Sequence, residues 1–205
     1  MISAVVLAAG ESLRMGTPKQ ILPWENTTVL ESIVTKLIKC QYIGNEIIVV
    51  LGGNYDKIIP VFSKYEDHRL KIVKNNEYQK GMLTSVWSGL NSLSKSSEYI
   101  LFTLGDMPLI KIESFNELIN FAINSKTTIL APIYHGKRGH PLIVHKSQIP
   151  DIFQLSGPGG LRTLLSKHPE RVTLHEVSDE GIIIDIDTIE DYNIYLKKQQ
   201  GDDSK

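Results

Sequence analysis

Short runs of consecutive apolar residues alternate along this chain with longer segments whose apolar positions recur every three or four residues. The apolar runs are Ile2–Leu7, with Ser3 inside it, Glu46–Leu51 and Tyr99–Leu104, and Leu70–Val73 reads as a further short strand. Between them Val29–Cys40, Tyr55–Tyr65, Gly81–Leu93 and Ile112–Ile123 carry the helical period. Runs without polar alternation fit strands covered on both faces, and a helix between two strands is the crossover that parallel pairing needs. The expected fold is α/β: three layers, α/β/α, around an open, mostly parallel, Rossmann-like sheet. Thr128–Pro132 and Leu142–His145, separated by the polar turn Tyr134–Gly139, add a small antiparallel pair. Ligands in such folds gather beyond the carboxyl ends of the strands, which points to the residues after Leu7 and Leu104.

The 205 residues include 22 Lys plus Arg and 23 Asp plus Glu, for a formal net charge of −1. That balance offers no broad field to hold a polyanion, so nucleic acid is not an expected partner. A single cysteine, Cys40, rules out an intrachain disulfide and any Cys-based zinc or redox motif. No stretch approaches the roughly 18 apolar residues of a membrane span. The opening run has no basic residues before it and reads as a buried strand rather than a signal peptide, so a cytoplasmic location is expected. The length fits one domain, expected over residues 1–196, with the polar segment 197–205 (KKQQGDDSK) expected to fray.

After Leu7 the chain reads Ala8-Ala9-Gly10-Glu11-Ser12-Leu13-Arg14-Met15-Gly16-Thr17-Pro18-Lys19. Gly10 and Gly16 let backbone amides approach a ligand closely, and a run of N–H groups after a strand can cradle phosphate oxygens. Arg14 can fork onto two such oxygens, and Lys19 can supply a compact charge. A surface turn with two solvated cations is the competing reading. The loop matches neither the Walker pattern nor Gly-x-Gly-x-x-Gly.

Two acidic positions stand out. Asp106 follows the run Tyr99–Leu104, where a hard carboxylate can hold Mg²⁺ while substrate phosphates supply further oxygens; a turn or a helix cap is the alternative. In Ile182–Thr188 (IIIDIDT), strand periodicity puts Asp185 and Asp187 on one face, where like charges call for a cation. Thr188 and Asp191 also form a capping-box variant for a last helix. Gly81 and Ser85, or an ordinary cap by Thr84 or Ser85, lie between the third run and the next helix. Lys137, Arg138, Gly139 and His140 form a basic turn that either receives an anionic second substrate or is a plain hairpin tip. Gly157–Gly160 is either a mobile lid or the entry to a helix over Leu161–Leu165.

The segments LAAGESLRMGTPKQILPWE, NNEYQKGMLTSV, LGDMPL, GKRGHPLIV and DIDTIEDY occur in this order between residues 7 and 192. This pattern resembles the molybdenum cofactor cytidylyltransferases, nucleotidyltransferases with a glycosyltransferase-A-like fold of the nucleotide-diphospho-sugar transferase type. The resemblance implies transfer of CMP from CTP to molybdopterin or molybdenum cofactor with release of pyrophosphate. Leu7, Ala8 and Ala9 would read the base, and Gly10, Ser12, Arg14, Gly16 and Lys19 would hold the triphosphate. Gly81 and Ser85 would flank base and ribose, and Asp106 with Asp187, or Asp185, would hold Mg²⁺. Catalysis would fall to Lys19, Arg14 and Asp106, and Lys137–His140 would meet the second substrate. A xanthine dehydrogenase-type molybdoenzyme is the implied downstream partner. Relatives that use GTP tend to carry Ala-Gly-Gly where this chain has Ala8-Ala9-Gly10, so the resemblance favours CTP. Relatives that cytidylylate methylerythritol phosphate share Pro18-Lys19-Gln20 but carry a different acidic motif. Two alternatives remain: a GTP- or CTP-dependent enzyme acting on a sugar phosphate or other small phosphate, and a cofactor-binding chaperone without catalysis.

Overall fold

The computed structural model describes residues 1–94 and 97–202, apart from the side chains of Arg14 and residues 200–202. The chain begins with β1 (Ile2–Ala8), a two-strand ribbon of β2 (Pro23–Trp24) and β3 (Thr27–Thr28), and α1 (Val29–Lys39). It continues through β4 (Ile47–Leu51), α2 (Tyr55–Ile58), β5 (Leu70–Lys74), α3 (Met82–Asn91), β6 (Tyr99–Leu104) and α4 (Ile112–Ser125). The last part holds β7 (Ile129–Tyr134), β8 (Lys137–Arg138), β9 (Leu142–His145), α5 (Ile149–Phe153), α6 (Arg162–Lys167), β10 (Val172–Glu176) and α7 (Ile189–Asp202).

The main sheet runs β5-β4-β1-β6-β9-β7-β10, with β8 folded back onto β7. β1 is buried throughout and pairs in parallel with β4 and β6, as its apolar sequence, interrupted only by Ser3, favours. β9 slots between β6 and β7 antiparallel to both, so the expected antiparallel pair sits inside the sheet. Alternate β1 side chains feed opposite layers. Ala4 and Val6 pack with Leu30 and Ile33 of α1 and Phe115 of α4. Val5 and Leu7 pack with Val86 of α3 and Leu164 of α6. Among the described residues no helix is long and apolar enough to cross a membrane.

The structure departs from the sequence expectations in four places. Ile182–Thr188 is no strand: a 3-10 turn spans Glu180–Ile183 and the chain then runs irregularly to α7. The reason is close approach. A Cβ on Gly181 would lie 2.3 Å from the Leu109 carbonyl oxygen, and the Ile186 N–H donates to the Asp106 carbonyl at 2.8 Å. The segment therefore spends its backbone on neighbouring loops instead of a ladder. Second, β10 carries no continuous apolar run because it is the half-buried edge of the sheet. Third, α7 extends to Asp202, across most of the segment whose composition reads as frayed. Fourth, neither Thr84 nor Ser85 caps α3; Gly81 does, and the Thr84 hydroxyl donates to the Gly81 and Glu77 carbonyls. The capping box is present, with Thr188 N–H on the Asp191 carboxylate at 2.9 Å and Asp191 N–H on the Thr188 hydroxyl at 3.1 Å. It directs α7 against the ribbon, where Tyr192 donates to the Pro23 carbonyl at 2.6 Å and packs on Trp24.

Candidate functional site

The loop leaving β1 folds around one buried side chain. Ser12 takes a left-handed conformation, φ 58°, and its hydroxyl donates to Gln20 Oε1 at 3.2 Å while accepting the Lys19 N–H at 3.0 Å. Gln20, 3% exposed, donates from Nε2 to the Ala8 and Gly10 carbonyls at 3.2 and 2.9 Å. The amide therefore closes the loop on itself and delivers Lys19 at its end. The turn after β4 supports it from below: a Cβ on Gly52 would lie 2.4 Å from the Ala9 carbonyl oxygen, and Asn54 donates to the Glu11 carbonyl at 3.0 Å.

Lys19 bridges two carboxylates that are far apart in sequence. Its Nζ donates to Asp106 Oδ2 at 2.5 Å and to Asp187 Oδ1 at 2.8 Å. The lysine side chain is 13% exposed, and those of Asp106 and Asp187 are 19% and 33% exposed. Burial alone would lower the lysine pKa, but the charges and hydrogen bonds of Asp106 and Asp187 outweigh it and hold the ammonium above its ordinary range. Asp185 is solvent-exposed, yet desolvation by its neighbours, then the charges of Asp187 and Asp106, push its carboxyl pKa up.

The acidic residues fit a divalent cation. Asp106 Oδ1 is buried with no hydrogen-bond partner among the described residues, an arrangement that costs energy unless something positive meets that oxygen. No three His, Cys, Asp or Glu side chains converge into an all-protein cage among the described residues. Magnesium sites on phosphate substrates have this form, with one or two carboxylates and the remaining oxygens from phosphate and water.

Lys19, Asp106 and Asp187 line a cleft of about 550 Å³ at the carboxyl end of β1 and β6, whereas Asp185, a metal candidate in the sequence, does not line it. Of the residues singled out in the sequence, Leu7, Ala8, Ala9, Gly10, Ser12, Lys19, Ser85, Asp106 and Asp187 line it. Gly16 and Gly81 supply turns, with φ of 66° and 110°. The Ser85 hydroxyl is oriented by Asn75 Nδ2 at 3.0 Å. The Arg14 side chain lies outside the described residues. Glu11, Gln20, Tyr78 and Met82 join the lining, and Tyr78 donates to Glu11 Oε1 at 2.8 Å. All four fall in the segments that carry the resemblance, but the sequence reading assigns none of them a role, and the Tyr78–Glu11 pair forms only when the third crossover lands beside the first loop.

The basic turn is divided. Lys137 and Arg138 are exposed on the β7–β8 hairpin and do not line the cleft. Gly139 and His140 instead pack beneath the 180–187 segment. A Cβ on Gly139 would lie 2.1 Å from the Ile182 carbonyl oxygen, which accepts the His140 N–H at 2.8 Å. Burial drives the His140 pKa down to about 4, although the ring bonds the Phe102 carbonyl; Nδ1 has no partner among the described residues. The native ring is therefore neutral at pH 7. The unfolded chain takes up this proton near pH 6.5 and the folded chain only near pH 4. His140 thus leaves stability unchanged above pH 7 and removes about 3 kcal/mol as pH falls across that window. His140→Asn is expected to flatten this part of the profile, measured as urea midpoints at pH 7, 5.5 and 4.5. Parallel profiles for the two proteins would remove His140 as the cause.

Residues 4–172 match the family model described as the MobA-like NTP transferase domain. Among curated proteins the chain is similar to the molybdenum cofactor cytidylyltransferase of Escherichia coli, 29% identical over 191 residues and 93% of each chain. It is 28% identical over 200 residues to the nicotine blue oxidoreductase of Paenarthrobacter nicotinovorans, covering 92% of this chain and 93% of that one. A probable molybdenum cofactor guanylyltransferase of Methanosarcina acetivorans is 32% identical over 114 residues, 54% of this chain and 48% of that one. Among solved structures, the manganese complex of Rv0371C from Mycobacterium tuberculosis superposes with a TM-score of 0.75 at 25% identity, covering 96% of this chain and 98% of that one. With the family model spanning most of the chain, from residue 4 to residue 172, this protein belongs to the MobA-like NTP transferase family.

Proposed function

We propose that this nucleotidyltransferase of the MobA-like type transfers CMP from CTP to the terminal phosphate of molybdopterin or molybdenum cofactor and releases pyrophosphate. The observation that carries the reading is the Lys19–Asp106–Asp187 cluster, a cation held between two carboxylates at the end of the glycine-containing loop that leaves β1. The curated molybdenum cofactor cytidylyltransferase, similar over 93% of each chain, supports the choice of acceptor.

The chemistry asks little of acid–base groups. A phosphate nucleophile is already ionised, so catalysis reduces to in-line positioning and neutralisation of charge on the α-phosphate and the departing pyrophosphate. Asp106 and Asp187 would hold Mg²⁺, which when bound screens the phosphates and withdraws charge from them. Lys19, held at the rim of the phosphate loop, would offset charge growing on the transferred group. The loop amides from Gly10 onward would grip the triphosphate, with their geometry maintained by Gln20.

The test is pyrophosphate release from CTP with molybdopterin, its molybdenum-loaded form, or sugar phosphates as acceptor. Release only with the pterins supports the reading. Release with sugar phosphates moves the acceptor class, and tight pterin binding without turnover leaves a chaperone. Ala9, 8% exposed, lines the cleft, and against a bound base its methyl group would leave less space for a purine than a glycine would. Ala9→Gly is expected to lower the CTP/GTP ratio of kcat/KM by about tenfold, the scale of one methyl in a tight pocket. An unchanged ratio would place base selection elsewhere.

A further inference from the structure

Asp106 and Asp187 stand on two loops with no ladder between them, one after β6 and the other before α7. A third aspartate joins those loops. Asp179 is 4% exposed and does not line the cleft. Its Oδ2 accepts the Lys111 N–H at 2.8 Å and the Ser114 hydroxyl at 2.6 Å, both at the start of α4 on the Asp106 side. Its Oδ1 accepts the Gly181 N–H at 2.9 Å, on the Asp187 side. The two oxygens thus serve different loops through one rigid carboxylate. Two further contacts make the joint close: Gly181 leaves no room for a Cβ against the Leu109 carbonyl, and the Ile186 N–H reaches the Asp106 carbonyl at 2.8 Å.

We propose that Asp179 is a positioning residue that sets the separation of Asp106 and Asp187, and through it the affinity of the nucleotide-loaded site for a divalent cation. This inference rests on the reading of Asp106 and Asp187 as cation ligands. Asparagine keeps the volume of Asp179 but offers one acceptor oxygen, so its amide N–H₂ would face a backbone or hydroxyl donor and release one loop.

The experiment titrates Mn²⁺ into the full-length protein with saturating CTP and follows enzyme-bound Mn²⁺ by electron paramagnetic resonance. Asp179→Asn is expected to weaken Mn²⁺ binding about tenfold and to broaden the bound signal. In turnover assays it should raise the KM for Mg²⁺ more than it lowers kcat. Ser114→Ala, which removes one bond and no charge, is expected to weaken Mn²⁺ about threefold, so the outcome can be read even if Asp179→Asn does not fold. Val177→Ala truncates a neighbouring core side chain that makes no side-chain bond to either loop; it should lower the melting temperature and leave Mn²⁺ affinity unchanged. A loss of Mn²⁺ binding in Val177→Ala equal to that in Ser114→Ala would make the effect one of general stability and overturn the proposal. Wild-type affinity in Ser114→Ala, or in a folded Asp179→Asn, would do the same, provided Asp106→Asn loses the ion. Wild-type affinity in Asp106→Asn would overturn the cation reading itself.

Discussion

Asp106→Asn is expected to lower turnover at least a thousandfold while the protein folds. Asparagine preserves the volume and leaves the Asp106 carbonyl to accept the Ile186 N–H, so the loop keeps its backbone tie. Lys19 loses one carboxylate but retains Asp187 at 2.8 Å. The stability cost is about 2 kcal/mol, the scale of one hydrogen bond to a charged group. The rate loss is larger because the carboxylate would hold the cation that offsets negative charge in the transition state, and a neutral amide oxygen holds it far more weakly. Pyrophosphate release under single-turnover conditions, alongside thermal melting, checks both halves. Turnover within tenfold of wild type would remove Asp106 from the reaction.

Lys19→Met is expected to lower kcat by about two to three orders of magnitude, the scale of one lost preorganised positive group. Its second effect separates the two roles of the lysine. Without nucleotide, the ammonium occupies the face of Asp106 and Asp187 that a cation would approach. Removing it should therefore tighten Mn²⁺ binding to the nucleotide-free protein even as catalysis fails. Lys19→Arg should not restore the rate, since a planar fork cannot replace a compact charge between two carboxylates. An unchanged rate in Lys19→Met would leave the lysine a structural ion-pair partner and nothing more.

The parallel frame was legible because its signals are local. β1, β4 and β6 are buried on both faces, and that alone demands unbroken apolar runs such as Ala4–Leu7 and Ile47–Leu51. Edge strand β10 lacks such a run because half its surface faces solvent. The Ile182–Thr188 segment reads as a strand because isoleucines alternate with aspartates there. What prevents a strand is the approach of Gly181 to Leu109 and of Gly139 to Ile182, contacts between residues far apart in the chain. The division of Lys137–His140 into an exposed hairpin and a buried, neutral histidine has the same origin.

The first loop and the GDMP motif were visible in the sequence because small residues and a terminal carboxylate at the ends of strands are local facts. Gln20, Tyr78 and Asp179 were not, since a buried amide, a phenol and a pinned carboxylate gain meaning only from what they touch. Local periodicity determined which segments are strands and helices, and strand ends determined where chemistry would gather. That Lys19 meets both Asp106 and Asp187, 87 and 168 residues away, was decided by the tertiary structure alone. Those contacts depend on three crossovers converging at one edge of the sheet, and no short-range rule of spacing or propensity encodes that convergence.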